Sequence, residues 1–336
     1  MFKGQSGKSF VNTHKDERKM RMRKYAVMAA LLAVAMLLCP LAAVGTADEN
    51  VDGVPEEIRP VLSHAVKDSA EYITVMSSAT GSTTELEMRE YLIGCVAAEM
   101  PPDYHEEALK AQAVVSYTYA KRITDNSSDF ISDSPQMHQG YASKQERLEN
   151  WGEDFEENEK KIASAVDAVM GRIVTYDGEA ALTVYHSISA GQTQSAQSLW
   201  GEDYPYLQSV PGEGDKLSPD FISTVIFTPA EFSQKLGVSA ENGEDLVEDV
   251  KTENGYVTSA VIGGKTFTGA QIREALELKS NSFEIECTNE KVTVTCKGHG
   301  HGVGMSQYGA DYMARQGSTW QEILLHYYQG AEISNA

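Results

Sequence analysis

The 336-residue chain carries 28 Lys/Arg against 49 Asp/Glu, a formal net charge of −21, and the charge is unevenly spread. Eight of the basic residues but only Asp16 and Glu17 among the acids fall in residues 1–24, leaving a net of −27 beyond them. A surface that acidic, with no basic stripe, excludes nucleic-acid binding, while the length allows one large domain or two smaller ones.

The first predicted element follows the basic tail at 1–24. Residues 25–44 hold no charge and are rich in Ala, Leu, Val and Met, about the twenty residues a helix needs to span a bilayer core. The positive flank before it and Asp48-Glu49 after it would keep the tail cytoplasmic. Ala42-Ala43-Val44 and Thr46-Ala47 also offer the small residues of a signal-peptide cleavage site, so a transmembrane anchor at 25–45 and a cleaved signal both stay open. Either way the remainder lies outside the cytoplasm, and the expected localisation is the cell membrane, single-pass.

Residues 46–84 read as a linker and leading segment with a short strand at Tyr72–Met76. A helix is predicted over Glu87–Met100, where Tyr91, Leu92, Cys95, Val96 and Glu99 share one face, and Pro101-Pro102 end it. A second helix is expected from a capping box of Asp103 and Glu106 through to Arg122, then a polar loop at 125–134 and a helix over Glu157–Met170. Strands at Arg172–Tyr176 and Ala181–His186 flank an Asp177-Gly178 turn. Further short strands are expected at Thr224–Phe227, Tyr256–Ile262, Phe283–Cys287 and Val292–Cys296. The last two could carry a hairpin disulfide between Cys287 and Cys296. Two closing helices are expected at Ser306–Arg315 and Thr319–Gln329, the latter capped by Ser318 with Gln321. Clustered rather than alternating helices and strands favour an α+β class: a main domain over 85–336 with a smaller inserted α/β region at about 214–282.

Two places carry chemistry. Glu99 lies on the apolar face of its helix and in the last turn, so desolvation and the negative end of the helix dipole both favour its neutral form, as a general acid requires. A glutamate that merely rotates to the surface fits the same pattern. The run Gly298-His-Gly-His-Gly-Val-Gly-Met-Ser-Gln-Tyr-Gly-Ala310 interleaves five glycines with His299, His301, Ser306, Gln307 and Tyr308. It reads as backbone brought close to a ligand, or as a tight strand-to-helix turn. It lacks the Gly-Lys-Ser/Thr of a phosphate loop and the dinucleotide spacing. His299 and His301, two apart, are the only hint of a metal pair there, without a His-Glu-x-x-His helix or Cys-x-x-Cys pair.

Three segments together resemble the stage II sporulation protein D family, related to the amidase-enhancer proteins. They are Tyr91-Leu-Ile-Gly-Cys-Val-Ala-Ala-Glu-Met-Pro101, followed by Ala108-Leu-Lys-Ala-Gln-Ala-Val114 and Thr118-Tyr-Ala120; Tyr185-His-Ser-Ile-Ser-Ala-Gly191, followed by Trp200-Gly-Glu-Asp-Tyr-Pro-Tyr-Leu207; and the glycine run, followed by Ile323-Leu-Leu-His-Tyr-Tyr-Gln-Gly330. The resemblance implies a membrane-anchored peptidoglycan lytic transglycosylase acting in sporulation engulfment, on glycan strands preferably stripped of peptides, with the main domain catalytic. A non-catalytic peptidoglycan-binding module that stimulates an amidase is the alternative. It implies Glu99 as the catalytic acid, with His186, Ser187, His301, Ser306, Gln307 and Tyr308 as substrate-binding residues. The implied partners are glycan strands, a cell-wall amidase and other engulfment proteins. No cofactor is expected; some relatives bind zinc, but His138 and His186 here lack neighbouring cysteines. Tyr117 stands where the family typically has Arg, and Ala190-Gly191 replaces a glycine pair.

Overall fold

The computed structural model describes residues 71–126, 128–239 and 246–336. The basic tail, the apolar stretch at 25–45 and the linker as far as residue 70 lie outside the described residues. Among the described residues no helix is long and apolar enough to cross a membrane.

The end of the expected linker is structured. Strand β1 (Tyr72–Met76) pairs antiparallel with β2 (Thr83–Glu87) and parallel with the short β3 (Ile131–Ser132). Helix α1 (Met88–Glu99) then buries Tyr91, Leu92, Cys95 and Val96. It stops where expected, because Met100, held extended at φ −126° and ψ 140°, precedes Pro101. Helix α2 (Glu106–Asn126) starts later than its signal suggests. Asp103 lies outside it, and the His105 carbonyl accepts the first amide hydrogen bonds, from Ala108 and Leu109. The His105 N–H itself is taken by Asp311 Oδ1 at 2.6 Å from the far end of the chain. A long-range carboxylate thus supports a local cap that Asp103 does not supply: His105 Nδ1 accepts the Glu107 N–H at 3.3 Å.

Helix α3 (Lys144–Trp151), absent from the sequence reading, opens on a true capping box of Ser143 and Glu146. Its Arg147 side chain is fully buried and bonded at 2.8 Å to Glu90, Glu159 and the Ala142 carbonyl, locking α3 to α1 and to α4 (Phe155–Val169). Strand β4 (Arg172–Tyr176) is central to a sheet with β5 (Glu179–Ala180) and the C-terminal strand. Asp177 and Gly178 both have positive φ, as a tight hairpin turn demands. Of the expected strand Ala181–His186, only β6 (Tyr185–His186) is paired beyond β5. The short α5 (Ala196–Trp200) follows.

The next region builds its own core. Strand β7 (Ile222–Phe227) leads into α6 (Pro229–Leu236), then β8 (Val247–Glu253), β9 (Tyr256–Ile262), β10 (Lys265–Thr268) and α7 (Gly269–Leu276). The hairpin β11 (Phe283–Cys287) and β12 (Val292–Lys297) completes it, β12 also pairing with β7. Phe232, Ile262, Ile272, Val292, Val294 and Cys296 close this second core. After the glycine run, β13 (Met305–Ser306) lies parallel to β6, and helices α8 (Gln307–Arg315) and α9 (Trp320–Tyr327) precede β14 (Glu332–Asn335), which joins β4. The cap of α9 is Thr319 with Glu322, one residue on from the expected Ser318 and Gln321. The main core gathers Leu92, Val96, Leu109, Ile162, Val166 and Leu324 from α1, α2, α4 and α9.

The hairpin disulfide is corrected by register. Cys287 faces Val292 and Cys296 faces Phe283, at opposite ends of the ladder, and both thiols are free. Directly opposed positions are the ones whose Cβ atoms approach closely enough. A reducing agent is therefore expected to leave the thermal unfolding midpoint unchanged within about 1 °C. Losing a native disulfide, which costs about 2–5 kcal/mol, would lower it visibly in the same calorimetric scan.

Candidate functional site

Glu99 is the last residue of α1, half-buried, and its Oε1 accepts the Gly140 N–H at 2.6 Å. The Gly140 segment is pinned across α1 by Gln139 Nε2 donating to the Tyr91 hydroxyl at 2.6 Å and by Ala142 N–H on the Gly94 carbonyl at 3.0 Å. A Cβ at Gly140 would lie 2.8 Å from Glu99 Oε1, so a side chain there would push the carboxyl out of its present position. Tyr185 and Gln307 also hydrogen-bond the carboxyl. Burial pushes its pKa above the ordinary glutamate value, against the opposing pull of these three hydrogen bonds.

The glycine run is the scaffold under this arrangement. Its backbone exchanges hydrogen bonds with the segment after β6: Ile188 N–H to the His299 carbonyl at 3.0 Å and the return at 2.7 Å, then Tyr308 N–H to the Ser187 carbonyl at 3.0 Å. Gly304, at φ +73°, would place a Cβ 2.0 Å from the Val184 carbonyl oxygen, and Gly302, at φ +83°, one 2.6 Å from the Tyr256 ring. No side chain fits at either position. The tight approach brings three sequence-predicted residues together. Gln307 reaches Glu99 and also donates to Gln112 Oε1 at 3.3 Å. His301 bonds the Tyr185 backbone, and its ring centroid lies 5.8 Å from that of His186.

The other predicted residues fall as follows. His186 is buried; its Nδ1 lies 3.1 Å from the Val303 carbonyl, and its Nε2 has no partner. Burial, reinforced by its histidine neighbour, lowers its pKa to about 3; burial and the Arg273 charge lower that of His301 to about 4. Both rings are neutral at physiological pH. Ser187 and Tyr308 are half-buried and meet through their backbones. Ser306 is fully buried, donating to Asp215 Oδ1 at 2.6 Å and capping α8 through Gly309 N–H. It holds the segment in place and presents no free hydroxyl. His299 is exposed to solvent. His138 accepts the Ser132 N–H at 2.8 Å. Among the described residues no three His, Cys, Asp or Glu side chains gather as a metal site. Tyr117 donates to the Glu71 carboxylate at the foot of β1, where Lys121 also binds at 3.2 Å, and is not among the partners of Glu99.

Several contributors carry no signal that singles them out in the sequence. Gly140, Tyr185 and Gln112 surround the acid, and Asp215 is wholly buried between the segment after β6 and the start of α8, taking hydrogen bonds from Ser189 and Ser306. Tyr185 and Gln112 lie inside the Tyr185–Gly191 and Ala108–Val114 segments, where nothing sets them apart from their neighbours. Gly140 and Asp215 sit in polar stretches with no motif.

Comparison with known proteins matches residues 76–176 to the family model described as Stage II sporulation protein. Stage II sporulation protein D of Bacillus subtilis (strain 168) is 38% identical over 333 residues, covering 94% of this chain and 97% of the relative. Its namesake in Bacillus amyloliquefaciens is 42% identical over 279 residues, 81% of each chain. The amidase enhancer of B. subtilis is 25% identical over 301 residues, 73% of this chain but 40% of that protein.

Proposed function

The chain belongs to the stage II sporulation protein D family, and from that premise we propose that it is a peptidoglycan lytic transglycosylase working on the cell wall during sporulation. The observation that carries this reading is a single glutamate, Glu99, at a helix C-terminus with its carboxyl desolvated and fixed by Gly140, Tyr185 and Gln307. The protonated carboxyl donates its proton to the glycosidic oxygen, and the C1–O bond breaks through an oxocarbenium-like state. The carboxylate so formed takes the proton of the muramic acid C6 hydroxyl, whose oxygen bonds to C1 and closes an anhydro ring. One carboxyl thus serves as acid and then base. No water is consumed, and the second carboxylate of hydrolytic glycosidases has no task. Gln307, Tyr308, His301 and Ser187 offer neutral hydrogen-bonding groups to the sugars, with His186 behind them. Residues 25–44 would tether the domain to the membrane, facing outward beside a cell-wall amidase.

A second reading, a glycan-binding module that stimulates an amidase, draws on the amidase-enhancer relative. The deciding experiment incubates the purified full chain with peptide-free glycan strands and separates the products. Truncation at Leu86 is avoided because it would remove β1, which pairs with both β2 and β3. Release of anhydromuramic ends is the expected result; strands that bind yet stay intact would leave the module reading in its place.

A further inference from the structure

Of the three tryptophans in the chain, Trp151 and Trp320 pack against the main core. Trp200 does not: it is 41% exposed and belongs to neither core. The fold nevertheless holds it firmly. Helix α5 is only five residues long, with Ser195 Oγ accepting the Ser198 N–H at 3.2 Å at its start and Gly201 in the left-handed region at φ +76° at its end. Just before it, Gln194 N–H bonds the Gly302 carbonyl at 2.6 Å, and Ala196 N–H bonds the Leu207 carbonyl at 3.0 Å. These ties set the indole beside the glycine run, its ring centroid 5.8 Å from that of His301 at 47°. His301 in turn bonds the backbone of Tyr185, whose side chain holds Glu99.

An exposed indole that stabilises no core, held at the edge of a row of neutral side chains, is a platform for a ligand with one apolar face. Large flat aromatic rings supply contact area at little entropic cost. A pyranose ring presents such a face in its axial C–H bonds, with hydroxyl and acetamido groups around the rim for neighbouring hydrogen-bonding partners. A charged ligand fits less well: His301 and His186 are both neutral, and Glu202 and Asp203 follow the indole in sequence.

We propose that Trp200, standing against His301, is a stacking platform for an N-acetylated sugar ring of the glycan strand, a binding residue adjacent to the Glu99 centre. This rests on the glycan-groove reading above, and the test separates the two. The full chain carrying Glu99→Gln, which holds strands uncleaved, is titrated with short peptide-free glycan oligosaccharides while tryptophan emission is followed. A saturable change is expected, lost when Trp200→Phe is added. Calorimetry on Trp200→Ala in the same background should show roughly tenfold weaker binding, the scale of a truncated aromatic anchor. The thermal midpoint should stay within about 2 °C of the parent, since the indole joins neither core. The same emission change in Trp200→Phe, or equal affinity in Trp200→Ala, overturns the platform. If the Glu99 chain cleaves glycan but binding ignores Trp200, the platform fails and the transglycosylase reading stands. If binding depends on Trp200 but no cleavage product forms, the platform stands and the transglycosylase reading fails.

Discussion

Glu99→Gln is expected to lower the release of anhydromuramic products by at least about 10³-fold while glycan binding persists. A positioned general acid or base contributes about 10²–10⁴, and here one carboxyl would perform both proton transfers. Glutamine keeps the size and an acceptor oxygen for the Gly140 N–H, so the loss reports proton chemistry rather than collapse. Glu99→Asp should also fail, because its shorter side chain withdraws the carboxyl from the groove. The pH dependence has a definite sign. The first step needs the protonated acid, so the rate falls as pH rises through the pKa of Glu99. Burial raises that pKa, placing the falling limb above the ordinary glutamate range. Near-wild-type turnover by Glu99→Gln, or a rate still climbing well above neutral pH, would remove Glu99 from the role of acid.

Much of this site is legible in the sequence, for reasons that particular residues make plain. Glu99 can be placed because an apolar helical face and Pro101 fix both its burial side and its position at a helix end. The glycine run can be recognised as a close-approach segment because positive φ and missing Cβ atoms leave a compositional trace. Identifying what approaches it requires tertiary structure: the Val184 carbonyl and the Tyr256 ring are more than forty residues away in sequence. Gly140 is illegible for the same reason, since a backbone N–H bonding a carboxylate 41 residues upstream leaves no pattern. The helix caps differ in kind. At α2 the His105 ring and a distant acid, Asp311, do the work expected of Asp103. At α3, α6 and α7 the signal is wholly local, in the Ser143/Glu146, Thr228/Glu231 and Thr268/Gln271 boxes, yet the short helices behind them carry too few turns to show a clear period. The two cysteines show that proximity along a hairpin is not opposition across it.

Replacing Asp215 by asparagine is expected to flatten the acid side of the stability curve and slow catalysis together. Asp215 is fully buried and accepts from the Ser189 and Ser306 hydroxyls and from the backbone N–H groups of Ser189 and Gly309. Burial outweighs those hydrogen bonds and raises its pKa from 3.8 to about 6. Between those values the folded chain holds a proton that the unfolded chain has released, so stability falls as pH rises from about 4 to about 6 and then levels off. About two pH units at ~1.4 kcal/mol each correspond to about 3 kcal/mol across the window. The amide of Asp215→Asn cannot titrate, and urea unfolding at pH 4 and pH 7 should differ between the two proteins by roughly that amount. An identical pH slope in both would show that Asp215 does not titrate in this window. The catalytic consequence travels through Ser306. Its hydroxyl caps α8 and is fixed by Asp215, and the next residue, Gln307, meets both Glu99 and Gln112. Ser189 and Ser306 bond different carboxylate oxygens, so an amide turns an NH2 donor toward one of them in place of an acceptor. Gln307 then loses its fixed approach to the acid, and because a displacement of about 1 Å can cost about 10²-fold, kcat should fall more than KM rises. A loss seen only in KM would instead confine Asp215 to shaping the sugar-binding wall.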